Sequence, residues 1–195
     1  MSKPRKNALA GSGPIVDRAR AALRHTATQF GAVQAQDDVS VTVLTPGGVQ
    51  LRLGYEGGNY LFSRVYNLAI TTVVPASAGL PAGLRLSHQD KAGPAWVPAG
   101  SRAGGSPLGR GGAASTSPGV SALNRALAPL LKGVDLLRAT TTAVPGGTQL
   151  TLTPLGGAYV WVLIPPVFKA TAFPAGEPQR LIDIVDAARG LTSAA

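Results

Sequence analysis

Slid along itself by 99 residues, the sequence matches residues 39–76 onto 138–175 without a gap, and 13 of 38 positions are identical. The shared residues are Thr42/Thr141, Pro46-Gly47-Gly48/Pro145-Gly146-Gly147, Gln50/Gln149, Leu51/Leu150, Leu53/Leu152, Gly57-Gly58/Gly156-Gly157, Tyr60/Tyr159, Thr72/Thr171 and Pro75-Ala76/Pro174-Ala175. This internal repeat constrains the fold more than any other feature. A unit this small cannot bury both faces of its own sheet, so the copies must cover one another or share helices.

Each copy reads as a meander of three or four antiparallel strands. Pro-Gly-Gly is turn chemistry, because Pro presets φ and Gly accepts φ > 0. It separates a strand over 39–44 from one over 49–55, and one over 139–144 from one over 149–153. In Val49-Gln50-Leu51-Arg52-Leu53 and Gln149-Leu150-Thr151-Leu152-Thr153 the apolar side chains alternate with polar ones, the period of a half-buried strand. The second Gly-Gly pair predicts the next turn in both copies. Apolar runs follow over 60–74 and 159–173. The first is expected to break at Tyr66-Asn67. The second must bend, bulge or split at Pro165-Pro166, since proline donates no ladder hydrogen bond.

Helical patterns flank the copies. Ser12-Gly13-Pro14 starts one with Ile15, Val16, Ala19, Ala22, Leu23, Thr26 and Phe30 on one face, ending at Gly31. Ser117-Pro118 or Ser121 starts a second with Leu123, Leu127, Leu130 and Leu131. Pro129 there predicts a kink costing roughly 3 kcal/mol, or two short helices. Pro178 opens a third with Leu181, Ile182, Ile184, Val185 and Ala188 inside, and Gly190 positioned to cap it.

The expected architecture is therefore α+β: a tandem αβββ(β) duplication with a C-terminal helix. Its antiparallel sheets are expected to join or to pack about a pseudo-two-fold axis, with the helices on one face. Residues 14–191 form a single domain made of repeat 1 (14–90) and repeat 2 (119–191). Residues 1–13 form a basic disordered arm. Residues 92–118, nearly all Gly, Ala, Ser and Pro apart from Trp96 and Leu108, form a flexible linker. This element order resembles, in topology, the secretion-chaperone class of folds. That resemblance implies a protein partner.

Composition narrows the chemistry. No cysteine is present among the 195 residues, which removes disulfides, thiolate nucleophiles and cysteine metal sites. The excess of Ala, Gly, Pro and Arg over Lys, Asn and Ile is what a GC-rich bacterial genome produces. No signal-peptide core follows the basic N-terminus, and the most apolar run, 158–168, is too short to span a bilayer. A cytoplasmic protein without a transmembrane segment is expected.

The net charge of +9 is unevenly placed. Lys3, Arg5, Lys6, Arg18, Arg20 and Arg24 face a single carboxylate, Asp17, over residues 1–24. Residues 91–132 hold five cations and no carboxylate. Arg20 and Arg24 share a helix face. These basic residues are the candidate contacts for an anion or a nucleic-acid backbone. Where the copies diverge, Arg52, Glu56 and Arg64 replace Thr151, Leu155 and Leu163. They form a candidate polar site in repeat 1, with Arg52 and Glu56 on one face of their strand.

Other signatures are weak. His25 and His88 lack metal-ligand partners at fixed spacing, and no G-x-S-x-G elbow exists. The Gly-Gly pairs join strand to strand, not strand to helix as a phosphate loop requires. Arg102-Ala103-Gly104-Gly105 and Gly109-Arg110-Gly111-Gly112 are two imperfect RGG-like segments without aromatics. No cofactor or metal is expected. The leading expectation is a non-catalytic protein-binding or adaptor module, with a protein partner or a homo-oligomer. A nucleic-acid-associated protein is the alternative, and an enzyme with an unrecognised site the third reading.

Overall fold

The computed structural model describes residues 8–60, 63–88, 93–100 and 117–191. Among these residues the fold is mixed α+β, with three α-helices and one ten-stranded antiparallel sheet. The helices are α1 (Pro14–Ala27), α2 (Pro118–Leu131) and α3 (Glu177–Arg189). The strands are β1 (Ala32–Gln36), β2 (Ser40–Leu44), β3 (Gln50–Tyr60), β4 (Ser63–Pro75), β5 (Leu84–Ser87), β6 (Ala95–Pro98), β7 (Leu136–Val144), β8 (Gly147–Pro154), β9 (Tyr159–Val162) and β10 (Val167–Ala170).

The spatial order is β1-β2-β3-β4-β8-β7-β5-β6. The 13-residue β4 is where the sheet forks. Its C-terminal half, Ile70 to Pro75, pairs with β8, while Ser63 to Tyr66 pairs with β9. Strand β10 is attached only to β9.

Period-2 alternation selects one buried face. Leu51, Leu53 and Tyr55 of β3, Leu68, Ile70 and Val74 of β4, and Leu150 and Leu152 of β8 are all buried. They share one core with Val16, Ala19 and Leu23 of α1, Leu123 and Leu127 of α2, and Leu181, Ile184 and Val185 of α3. The helices cover this face, and the opposite face carries Thr42, Gln50, Arg52, Thr71, Val73 and Gln149. An aromatic row crosses the buried side from Tyr55 to Tyr66 to Tyr159 to Phe168, with ring centroids 5.8, 5.9 and 6.4 Å apart. Burial pushes the Tyr55 phenol well above its usual range.

Several expectations require correction. The identical Pro-Gly-Gly triplets close different hairpins. The first, with Gly48 at φ 76, lies in a loop whose last strand pair is Leu44 with Gln50. The second is a two-residue loop, with Gly146 at φ 86 and Val144 paired directly with Gly147. One residue of slip reverses which side chains face inward. Accordingly Val41 and Val43 are buried in β2, whereas Ala139 and Thr141 are the buried pair in β7.

Gly57-Gly58 does not form a turn. Both residues lie inside β3, opposite Tyr66 and Val65. Gly57 is needed for close approach, because a Cβ there would sit 2.6 Å from the Ala8 Cβ. Strand β4 runs unbroken through Tyr66-Asn67. The Pro165-Pro166 break does occur, as the turn between β9 and β10.

Pro129 sits within a single helix, two residues before its end. Strand β1 was unforeseen, because all five of its residues are exposed and carry no burial pattern. Trp96 and its strand β6 fall inside the stretch expected to be a flexible linker, yet Trp96 is among the most buried side chains. Leu9, assigned to the disordered arm, is fully buried. The rest of the linker expectation, 101–116, and of the arm, 1–7, lies outside the described residues.

Candidate binding surfaces

The basic helix resolves into three arginines with different roles. Arg20 is a structural clamp. Its Nε donates to the Asp38 carbonyl at 2.8 Å, and Nη2 donates to the Leu9 and Gly11 carbonyls at 3.1 and 3.0 Å. Nη1 pairs with Asp17 at 3.2 Å. These bonds tie the segment before α1 to the helix and to the β1–β2 turn. Arg18 lies over the Phe168 ring, 4.1 Å from its centroid, in cation–π geometry. Arg24 is exposed. Lys3, Arg5 and Lys6 lie outside the described residues.

Arg20→Ala should lower the unfolding free energy by about 1–3 kcal/mol, since it strips several charge-assisted bonds at once, one of them to the partly buried Leu9 carbonyl. Arg24→Ala should stay within about 0.5 kcal/mol of the parent. Urea denaturation of both variants checks the contrast, and equal losses would contradict it.

The repeat-1 polar residues are only partly brought together. Arg52 and Glu56 share the uncovered face of β3. Arg64 does not join them, because it has the parity of Tyr66, which faces the helices. Glu56 instead pairs with Arg138 of β7. Sequence reasoning missed Arg138 because strand order, not spacing, places β7 within reach.

Arg52 is held from beneath. Its Nε donates to Ser40 Oγ at 2.9 Å, and Nη2 lies 3.6 Å from the Asp37 carboxylate. Asp37 in turn accepts from the Val39 and Ser40 backbone N–H groups at 2.8 and 2.6 Å, and from Ser40 Oγ–H at 3.0 Å. The Val39 N–H is the main reason its carboxyl lies below the usual aspartate range, with Ser40 and Arg52 adding to the effect. Missed altogether was Arg189, at the end of α3, which lines a depression shared with Arg52, Gln50 and Gln149. His25 and His88 are both exposed.

The third surface is apolar. Residues 163–170 are exposed without interruption. Leu163, Ile164, Val167 and Phe168 stand out among them, and Ile164 is 72% exposed. Exposure on both faces of β10 means that this hairpin projects from the sheet; apart from β9, Arg18 of α1 touches it, over the Phe168 ring. Lys169 lies on it, Arg18 stacks on it and Arg64 of β4 stands opposite Trp161, and residues 136–176 contain no carboxylate.

Among the described residues, no helix is long and apolar enough to cross a membrane. No curated protein and no solved structure matches the chain. A family model matches from just past α1 and takes in the whole sheet, the Arg52 surface and the apolar hairpin. Over residues 28–192 the chain belongs to the family described as "Protein of unknown function (DUF3156)".

Proposed function

We propose that the protein is a non-catalytic binding module that docks a partner protein through the β9–β10 hairpin. The projecting run of exposed apolar side chains on an open edge strand carries this reading. Monomeric proteins seldom expose contiguous apolar patches, and those that do generally use them for contact. Among the described residues, no strand pairs with the outer edge of β10. An extended partner segment can pair there, with apolar side chains set against Val167 and Phe168. Without a partner, such an edge is an aggregation hazard. The tandem duplication belongs to the same reading. The two similar units meet through β4 and β8, and in the second unit the stretch that matches residues 60–71, the end of β3 and much of β4, is the projecting hairpin.

The test is a photocrosslinking residue at position 164, compared with the double variant Ile164→Asp/Val167→Asp. Both changes are on exposed positions, so thermal unfolding should stay within about 2 °C of the parent. The expected result is one specific crosslinked protein species that the double variant loses. Retention of the same species would move the docking surface elsewhere. A monomer giving no crosslink in its native cells would defeat the binding reading.

A further inference from the structure

The uncovered sheet face holds a second site, independent of the hairpin. A depression of about 400 Å³ is lined by Arg52, Arg189, Gln50, Gln149, Thr42 and Thr71. That volume lies within the roughly 300–1,000 Å³ range of small-molecule sites. With Thr72 and Val73, its lining contains two guanidinium groups, two amides and three hydroxyls, and no carboxylate. The Thr71 hydroxyl donates down to the Arg52 carbonyl at 3.1 Å, so its lone pairs point away from that bond. Four neighbouring strands and one helix end contribute these groups, and among the described residues no helix covers them.

The geometry points to this depression as a binding site for the oxyanion of a small polar molecule, a carboxylate or a phosphate ester, with Arg52 and Arg189 as the paired cations. Charge sets the class of ligand: both charged groups in the lining are positive. Pre-organisation supports it. Arg52 is oriented by Ser40 and by Asp37, and Asp37 is itself fixed by the turn it closes. An arginine held in this way loses less side-chain freedom on binding than a free one. The Asp37 contact engages one edge of the guanidinium and leaves Nη1 for the ligand. The Gln50 and Gln149 amides and the Thr42 hydroxyl then offer donors to the rest of the molecule. A large apolar ligand is disfavoured, because Val73 is the only large aliphatic side chain in the lining.

Backbone amide NMR titration of the full chain with inorganic phosphate, and separately with acetate, tests the site against sodium chloride at matched ionic strength. The expected result is saturable shifts clustered on β3, β4 and β8 around Arg52, Thr71 and Gln149. Arg52→Gln and Arg189→Gln should each weaken binding at least tenfold, while Arg24→Gln leaves it unchanged. All three positions are on the surface, so undisturbed spectra elsewhere will verify the fold. Whichever anion binds more tightly identifies the oxyanion. Shifts reproduced by chloride, shared equally with Arg24 and Arg64, or unaltered in Arg52→Gln would overturn the assignment.

Discussion

Trp96→Ala should destabilise the protein by about 3–5 kcal/mol, the usual cost of emptying a large buried aromatic site. Trp96 is 1% exposed. Its backbone is fixed on both sides by one side chain: the Trp96 N–H donates to Asn124 Oδ1 at 2.6 Å, and Asn124 Nδ2 donates back to the Trp96 carbonyl at 3.0 Å. Asn124 therefore anchors β6 to α2, and the indole fills the core beside it. A loss of that size is a large part of the roughly 5–15 kcal/mol that holds a domain together. Urea denaturation followed by circular dichroism will measure it. Asn124→Ala should reproduce part of the loss, because it leaves two backbone groups of β6 without partners. A Trp96→Ala variant as stable as the parent would mean that β6 is not docked, as the Gly- and Pro-rich local sequence suggests.

Leu152→Ala carries the second large effect, about 2–5 kcal/mol. Leu152 is fully buried on β8, opposite Ile70 of β4 on one side and Ala139 of β7 on the other. It sits at the seam where the first half of the sheet meets the second. Three residues later, Leu155 is 48% exposed. Leu155→Ala should change stability by less than about 0.5 kcal/mol. Measuring both under the same conditions separates burial from mere hydrophobicity. Equal losses would contradict the register of β8, and a loss confined to Leu155 would reverse its face.

Stability at the seam bears on function. The Arg52 depression draws Gln50 and Arg52 from β3, Thr71 from β4 and Gln149 from β8. It exists only while β4 and β8 stay paired. The hairpin instead hangs from the other half of β4 through β9. A change that loosens the β4–β8 seam should therefore disturb the oxyanion site before it disturbs the apolar hairpin.

Local pattern made much of this fold legible. The alternation in Val49 to Leu53 and Gln149 to Thr153 identified β3 and β8 and the leucines that face the core. The apolar stripes of α1 and α3 identified two helices, and Pro165-Pro166 located a break that became the turn between β9 and β10. These features follow from 3.6- and 2-residue periodicity and from proline's missing donor, which are properties of the chain itself.

Other features depended on neighbours remote in sequence. Gly57-Gly58 looks like a turn and is a strand, because Ala8 passes over it. Trp96 looks like an isolated aromatic in a linker and is core, because α2 offers it Asn124. Arg20 looks like a free cation on a basic helix and is spent on carbonyls of Leu9, Gly11 and Asp38. The partnership of Glu56 with Arg138, and the meeting of Arg52 with Thr71 and Gln149 in one depression, required the strand order. From sequence alone come the two similar units, the turns that divide them and the alternating leucines, since these are set by residues close along the chain. Tertiary structure decided that one long strand, β4, serves both halves, and which side chains meet across it. The physical reason is that a strand's backbone groups accept any partner of suitable register, so pairing is chosen by burial on one face and not by any local signal.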